Sequence, residues 1–446
     1  MTPIALIVSR AVTETEPVVE PASVRREWTF IFGAAAMCVP ALVARFAGGE
    51  DHLISTQIDT LLFGLAILGA AFLLSWAAEV AQLDISQALA IAFLAFIAVL
   101  PEYAVDLVFA WKAGTEDRLR EVAGYTGFYC GGQEHCRDLA IANMTGANRL
   151  LIGLGWAVVV LIWWRRSGEK EVHLGSRRRT ELGFLLIATI WALSIPIRGN
   201  LSLIDLVVLL TIFVAYVWHA ALEESEHPEL VGPPLAIAAM PTRKRRMFTL
   251  GMFVYAAGMI LLSAEPFAHG LVQTGKVWGV NEFLLVQWLA PLASEAPEMI
   301  IAILFVLRSK PGAGLGTLVS SKVNQWSLLI ATIPLVYAIA HRGLSPMELS
   351  GRQVEEVLLT AAQSVFAIAV LGSLSISRGE AIMLLVPFLA QFGFPQSEVR
   401  YGFSAFYIAG ALFIIVRQKE SRVGLAAAIR AAFTPPWRGA QRGSGR

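Results

Sequence analysis

Charged side chains are scarce in this sequence. Asp, Glu, Lys and Arg make up 15% of its 446 residues, and 56% are hydrophobic, whereas a soluble domain usually has about a quarter of its residues charged. The apolar residues are grouped in blocks of roughly 18–28, long enough to cross a hydrocarbon core about 30 Å thick. The net charge is only +1, so no overall positive field favours a nucleic-acid partner. The composition excludes a soluble globular domain and predicts an integral membrane protein.

Cysteine is equally scarce, with three residues in the chain, too few for a framework of several disulfides. Cys38 lies within an apolar block, where we expect it to pack. Cys130 and Cys136 share one polar loop with the sequence CGGQEHC. A disulfide between them is one interpretation. The alternatives are two free thiols beside His135 or a chance spacing.

Long apolar runs dominate the rest of the chain, and we predict twelve membrane spans. Each is expected to be helical, because a segment that crosses the bilayer must satisfy its backbone polar groups internally. The expected fold class is therefore an all-α membrane protein of about twelve transmembrane helices. The spans lie near residues 29–48, 57–81, 86–111, 138–164, 181–197, 201–219, 248–270, 278–307, 313–340, 354–373, 379–395 and 399–416.

Lys and Arg residues in the loops predict the orientation. With twelve spans, about 23 of the 35 basic residues lie on one side of the membrane and about ten on the other. Because cytoplasmic loops are enriched in Lys and Arg, we expect a multi-pass protein of the cell membrane with both termini in the cytoplasm. Cys130 and Cys136 then face outward.

A Pro-Glu pair occurs near the middle of two predicted spans, at Pro101-Glu102 in the third and at Pro297-Glu298 in the eighth. The span after each pair is rich in small and polar residues, ANMTGANRLLIGLGW in one case and GTLVSSKVNQWSLLIAT in the other. The two Pro-Glu spans are five helices apart, so they cross the membrane in opposite directions. The pattern predicts two inverted-topology repeats with helices broken at Pro-Glu, a plan of secondary transporters whose sites lie near the bilayer midplane.

These patterns divide the chain into five predicted segments. They are a cytoplasmic N-terminal segment (1–28), a first membrane half (29–220) containing repeat 1 (86–164), a cytoplasmic linker (221–246), a second membrane half (247–417) containing repeat 2 (278–341), and a basic cytoplasmic tail (418–446).

Acidic residues in the repeat spans come in pairs. Glu102 and Asp106 are four residues apart, and Glu295 and Glu298 are three apart, so each pair shares one helix face. A carboxylate at mid-bilayer is expensive and usually functional, although structural ion pairs between helices are the alternative. With carbonyl oxygens freed by the prolines and with nearby hydroxyls, these acids form a hard oxygen ligand set that suits Na⁺ or Ca²⁺. The candidate hydroxyls are those of Ser294, Ser320, Ser321 and Thr145.

Two basic residues and four amides lie in the spans that follow the Pro-Glu helices. Arg149 and Lys322 can form structural ion pairs, balance the charge of the acids, or act on the substrate. The amides can belong to a cation site or hold helices together, and we favour the site. They are Asn143, Asn148, Asn324 and Gln325.

The two Pro-Glu segments resemble the alpha-repeats of the sodium/calcium exchanger superfamily, the calcium/cation antiporters. In that family a G-T-S-x-P-E helix is followed by a G-N-x-x-G-S-N helix. The first repeat matches at Pro101-Glu102 and at 142–148. The second matches at 294–298 and loosely at 316–322.

This resemblance implies the roles of several residues. Glu102 and Glu298 are expected to be the central metal ligands, which coordinate the transported cation. Ser294, Asn143 and Asn148 are expected to complete the site.

The sequence also departs from the family pattern. Residues 97–99 are Ile-Ala-Val where the family has Gly-Thr-Ser, and the acids Asp106 and Glu295 stand where serines are usual. Since two added acids accompany two bases, we expect Arg149 and Lys322 each to neutralise one of these acids. A fixed ammonium or guanidinium can also take the electrostatic place of a bound Na⁺.

We therefore expect a secondary active cation antiporter that exchanges Ca²⁺ or Na⁺ against H⁺ or Na⁺ by alternating access. The alternative is a cation channel or passive pore without obligatory exchange. An enzyme ranks last, because the spans contain no H-E-x-x-H motif and no compelling Ser–His or Cys–His set. The expected partners are inorganic cations and the lipid bilayer, without a cofactor and without nucleic acid, and the sequence does not define the oligomeric state.

Overall fold

A computed structural model describes residues 21–47, 55–85, 100–176, 178–222, 230–394 and 396–434. Its helices are α1 (Pro21–Met37), α2 (Val39–Ala47), α3 (Thr56–Ala81), α4 (Leu100–Ala123), α5 (Cys136–Ser167), α6 (Arg178–Arg198), α7 (Leu203–Leu222), α8 (Pro233–Ala238), α9 (Thr242–Trp278), α10 (Glu282–Leu307), α11 (Pro311–His341), α12 (Gly351–Leu371), α13 (Arg378–Ala390), α14 (Ser397–Arg417) and α15 (Lys419–Phe433). The short strands are β1 (Glu171–His173), β2 (Asn200–Leu201), β3 (Met347–Glu348) and β4 (Ser375–Ser377).

The protein is an all-α membrane protein. Within the described ranges, ten helical segments are long and apolar enough to cross a membrane, and they coincide with ten of the twelve predicted spans. Of the other two predictions, the first part of 86–111 lies outside the described residues. The span 379–395 corresponds to α13, which has 13 residues and is about 20 Å long at 1.5 Å per residue. The count of twelve spans and the inverted repeat stay predictions.

Two antiparallel strand pairs mark the two ends of the helix bundle. At one end β1 pairs with β4, so the segment after α5 lies beside the segment after α12. Asp84 lies in ion pairs with Arg245 and Arg246, and the hydrogen bond from Arg245 lowers the pKa of Asp84. We call this the basic end. At the other end β2 pairs with β3, near the loop between α4 and α5; we call this the disulfide end.

Helices from the two halves pack across one another. α4, which carries the first Pro-Glu pair, packs against α11 of the second half, and α10, which carries the second pair, packs against α5 of the first. Two glycines allow the close approach, since a Cβ at Gly114 would meet the backbone of Tyr337 and a Cβ at Gly146 would meet the backbone of Gln287. Each of α5 and α11 also contains one π-helical turn, at Leu151–Trp156 and Gln325–Leu329.

The predicted cytoplasmic tail is folded in part. α15 packs against α6 and α12, because small residues let the backbones meet: a Cβ at Gly183 would contact the Ala428 backbone, and a Cβ at Gly424 would contact the Gly372 backbone. The remainder of the predicted tail, 435–446, lies outside the described residues, as do 1–20 of the predicted N-terminal segment and 223–229 of the predicted linker.

The close crossing of α5 and α10 generates a prediction. Gly146→Ala should lower the thermal stability of the purified protein, because the added methyl group collides with the Gln287 backbone and overpacking costs about 1–3 kcal/mol. Gly258→Ala on α9 is the matched control, since nothing lies within 4 Å of its added Cβ. Unfolding temperatures in detergent test this, and equal values for the two variants would contradict the packing.

Candidate functional site

Two acids of the predicted site lie on α4 and are fully buried. Glu102 and Asp106 are 1% and 0% exposed, one helical turn apart. Oδ1 of Asp106 accepts a hydrogen bond of 2.9 Å from Nδ2 of Asn143 on α5. A hydrogen bond thus joins Asp106 to Asn143 within the first half. Glu102 does not take part in this hydrogen bond.

The second acid pair lies on α10 and is buried as well. Glu295 accepts a hydrogen bond of 2.5 Å from Nε2 of Gln325 on α11. Glu298 accepts one of 3.4 Å from the hydroxyl of Ser75 on α3. Three helices therefore hold these two carboxyls, and one of the three, α3, was not assigned to the site by the sequence.

Prolines interrupt the hydrogen bonding of α10 at this level. Pro291 and Pro297 both lie inside the helix. Pro297 has no N–H, so the carbonyl of Ala293 loses its usual helical donor and remains available to a ligand. The hydroxyl of Ser294 donates to the carbonyl of Pro291 at 3.3 Å, so in this geometry it serves its own helix, with its lone pairs still able to face a cation.

The carboxyls of Glu102 and Glu295 approach each other across the two halves. Neither Glu102 oxygen has a hydrogen-bond donor in the described part of the chain. Two carboxylates in contact repel each other in a low-dielectric interior, so this contact requires either a shared proton or a bridging cation. The same pair of groups can therefore hold H⁺ or a metal ion, one in place of the other.

Several oxygens around this contact have no hydrogen-bond donor among the described groups. Leaving such an acceptor buried and unpaired costs about 1–3 kcal/mol, and carboxylate and amide oxygens are hard ligands for Ca²⁺ or Na⁺. No cluster of three or more His, Cys, Asp and Glu side chains forms a ready-made metal site in the described residues; a cation bound here would also need amide or carbonyl oxygens as ligands. The unpaired oxygens are Glu102 Oε1 and Oε2, Asp106 Oδ2, Glu295 Oε2, Glu298 Oε2, Asn143 Oδ1, Asn324 Oδ1 and Gln325 Oε1.

Lys322 faces the site but does not pair with an added acid, and in this respect the sequence prediction is wrong. Its Nζ donates to Oδ1 of Asn148 at 2.7 Å and lies 4.0 Å from the centre of the Trp326 ring. No ion pair joins it to a carboxylate of the described chain. The physical reason is that the two added acids already accept hydrogen bonds from amides, Asp106 from Asn143 and Glu295 from Gln325.

Arg149 points away from the acids, so its predicted pairing with Asp106 or Glu295 is also wrong. Its Nη2 lies 2.7 Å from Oε2 of Glu356 on α12, and its Nη1 donates to Oε1 of Gln391 at 3.0 Å. Consecutive residues on an α-helix point about 100° apart. Asn148 and Arg149 therefore point to different helices, Asn148 to Lys322 on α11 and Arg149 to Glu356 on α12.

Glu356 is the main buried group that sequence reasoning missed. It is 2% exposed and accepts from Nε2 of Gln287 at 3.0 Å, while Nε of Arg400 lies 3.0 Å away. A signal was available, because Glu355 and Glu356 both fall inside the predicted span 354–373, where intramembrane acids are rare. We call Arg149, Glu356, Arg400 and Gln287 the arginine network.

Three hydroxyls proposed as ligands have other partners. Ser320 donates to Glu181 at 3.1 Å, near the basic end. Thr145 donates to the carbonyl of Ile141 at 2.7 Å on its own helix. Ser321 accepts a long contact of 3.5 Å from Gln325, which leaves it at the edge of the site.

Cys130 and Cys136 are paired in a disulfide, and the loop that contains them contacts several helix ends. Glu116 of α4 accepts from the backbone N–H of Cys136 at 2.9 Å and contacts Nδ1 of His135 at 2.8 Å. The side chain of Arg352 on α12 donates to Glu134 at 3.1 Å. The loop therefore connects elements of both halves at the disulfide end.

A family model described as sodium/calcium exchanger protein matches residues 59–222 and 248–394. Among solved structures, the chain is similar to the H⁺/Ca²⁺ exchanger CAX, with 42% sequence identity and a TM-score of 0.82 over 92% of this chain and 98% of that one. No curated protein sequence matches the chain.

Two further structures share the fold at low sequence identity. The Ca²⁺/H⁺ antiporter protein YfkE is 14% identical, with a TM-score of 0.57 over 85% of this chain and 99% of that one. The sodium-calcium exchanger NCX_Mj is 15% identical, with a TM-score of 0.50 over 77% and 100%. At these identities the similarity concerns the fold alone.

The arginine network generates a second prediction. Glu356→Gln should destabilise the protein by about 3–5 kcal/mol, because it leaves Arg149 buried without a carboxylate. Arg149→Met should cost less, since Arg400 still neutralises Glu356, and adding it to Glu356→Gln should recover part of the loss. Thermal unfolding in detergent is the measurement.

The control for this pair is Glu420→Gln. Glu420 is exposed in α15, outside the predicted membrane spans, and exposed charges contribute about 0–1 kcal/mol. Strict additivity of the Arg149 and Glu356 substitutions would show that the two charges are not coupled.

Proposed function

The chain belongs to the sodium/calcium exchanger protein family, and from this premise we propose that it is a secondary active antiporter that exchanges Ca²⁺ for H⁺ by alternating access. Its family and its structural neighbours are transporters rather than enzymes. The choice of Ca²⁺ and H⁺ is supported by the exchanger with 42% identity, whose name states these two ions. Sodium as the driving or transported ion is the less favoured alternative.

The contact between Glu102 and Glu295 is the observation that carries the proposal. Two carboxyls from different halves of the bundle approach each other, and a third, Glu298, is one turn further along α10. Such a group can be stable with a proton between the carboxyls, or with a divalent cation that displaces the proton, but not empty and fully ionised. Competition of H⁺ and Ca²⁺ for the same oxygens is the chemical requirement for exchange.

The other site residues then have distinct roles in binding. Glu102 and Glu298 are the central ligands, one from each half. Asp106 and Glu295 add negative charge and are oriented by the amides of Asn143 and Gln325.

The remaining predicted ligands surround these four acids. Asn324 has a buried oxygen without a donor among the described residues, and Ser294 lies one turn before Glu298 on α10. The Oδ1 of Asn148 accepts a hydrogen bond from Lys322. Neutral oxygens of this kind can replace the water that Ca²⁺ loses on entering the site.

We also propose an orientation. The chain is a multi-pass membrane protein, and the basic end carries Arg245 and Arg246. By the positive-inside rule, we expect this end to lie on the cytoplasmic side of the cell membrane. The disulfide then lies outside, where oxidising conditions maintain such bonds.

Substitution of the central ligands tests the exchange. Glu102→Gln and Glu298→Gln should each reduce Ca²⁺ uptake into proteoliposomes by at least about tenfold, since each removes a charged ligand, while the protein stays folded. Uptake is driven by an imposed pH gradient, and proton efflux is followed with a pH-sensitive dye. Glu420→Gln, an exposed acid outside the predicted spans, is the control and should transport normally.

The same assay separates an antiporter from a channel. An antiporter requires the proton gradient or an exchangeable cation on the other side, whereas a channel would conduct Ca²⁺ without either. Full activity in both glutamine variants would remove Glu102 and Glu298 from the site.

Single cysteines test the orientation. Glu169→Cys, exposed at the basic end, should react with an impermeant maleimide only after the cells are opened, and Ser345→Cys, exposed at the disulfide end, should react in intact cells. The buried Cys38 and the bonded pair leave a low background. The opposite labelling pattern would reverse the orientation.

A further inference from the structure

Lys322 is a buried amine that the proposed exchange does not use as a ligand. Its side chain is 0% exposed and enters the interface between α11 and α5. Its nitrogen donates to Oδ1 of Asn148 at 2.7 Å and approaches the backbone carbonyl of the same residue at 3.5 Å. Among the described residues no carboxylate lies within 4.0 Å of it, although Glu102 is close enough to attract it.

The surroundings of this nitrogen are those of a monovalent cation. Two neutral oxygens and the face of the Trp326 ring, 4.0 Å from the ring centre, hold a positive charge without neutralising it. The amide of Asn148 cannot turn around, because its Nδ2 donates to the carbonyl of Met144 at 2.8 Å. Its oxygen is therefore fixed toward Lys322, as it would be toward a bound ion.

The balance of charge also indicates that a positive charge is needed at this position. Four carboxyls surround the site, and Arg149 does not offset them because it lies in the arginine network with Glu356. Lys322 is close enough to Glu102 for the two charges to interact. When it is protonated, Lys322 supplies one positive charge that a free Na⁺ would otherwise bring.

We propose that the Lys322 side chain occupies a monovalent-cation position beside the acid cluster and thereby excludes Na⁺ from the transport cycle. Lys322 is then a specificity-determining residue for the exchange proposed above, on which this inference rests. It contacts Asn148 through the same oxygen that a bound Na⁺ would use. Removing the nitrogen should open that position to Na⁺.

Sodium dependence of Ca²⁺ transport tests the inference. Lys322→Met keeps most of the side-chain length and removes the charge, and Lys322→Gln is a second, polar variant. Wild-type Ca²⁺ uptake into proteoliposomes should be the same in NaCl and in choline chloride. In the variants, Na⁺ should raise the apparent KM for Ca²⁺ several-fold. Lys276→Met, an exposed lysine at the end of α9, is the matched control and should behave as the wild type.

If a variant folds but does not transport, Na⁺ binding can be measured instead through the unfolding temperature. NaCl, relative to choline chloride, should raise the unfolding temperature of Lys322→Met or Lys322→Gln in detergent and should not change that of the wild type. Stabilisation of the wild type by Na⁺ would overturn the inference, even if neither variant can be purified. Variants that are as indifferent to Na⁺ as the wild type would overturn it as well.

The two proposals fail in different ways. A wild-type protein that does not exchange Ca²⁺ for H⁺ contradicts the proposed function, whatever the variants do. A wild-type protein that exchanges these ions, together with variants that ignore Na⁺, contradicts only the role of Lys322.

Discussion

The proximity of the carboxyls of Glu102 and Glu295 means that a proton or a cation must lie between them, and the rest of the site accommodates this need. In the low-dielectric interior, two such groups cannot both be ionised and remain in contact without a proton or a cation between them. Amides orient two of the acids, with Asn143 on the adjacent Asp106 and Gln325 on Glu295 itself. An amide directs a carboxyl without neutralising it. Pairing each acid with a base would have given a stable interior that has no affinity for a cation.

The packing of the helices explains how one site draws on both halves of the chain. The Pro-Glu helix of each half lies against the polar helix of the other, α4 against α11 and α10 against α5. Gly114 and Gly146 bring the backbones together at these crossings, so residues of the two halves face each other across one interface. A movement of one half against the other would change all of these contacts together, which is the geometry that alternating access requires.

The two buried bases occupy different environments for reasons that lie in their side chains. The planar guanidinium of Arg149 presents several donors, and it meets both the carboxylate of Glu356 and the amide of Gln391, as guanidinium groups commonly do at buried ion pairs. The ammonium of Lys322 is compact and can lie between the neutral oxygens of Asn148 and an aromatic ring. One base thus stabilises the contact of α5 with α12, and the other remains at the site.

The amino-acid sequence by itself determined the membrane class and the pairing of acids on single helix faces, and its two Pro-Glu segments resemble those of the exchanger family. The first two follow from local rules, since the length of an apolar run and a spacing of three or four residues decide them within one segment. The partners of Arg149 and Lys322 were decided only by the tertiary structure, because they depend on how far each helix is rotated against its neighbours. Packing also decided that residues 419–433 form a helix against α6, where small side chains allow a backbone contact that no local pattern encodes.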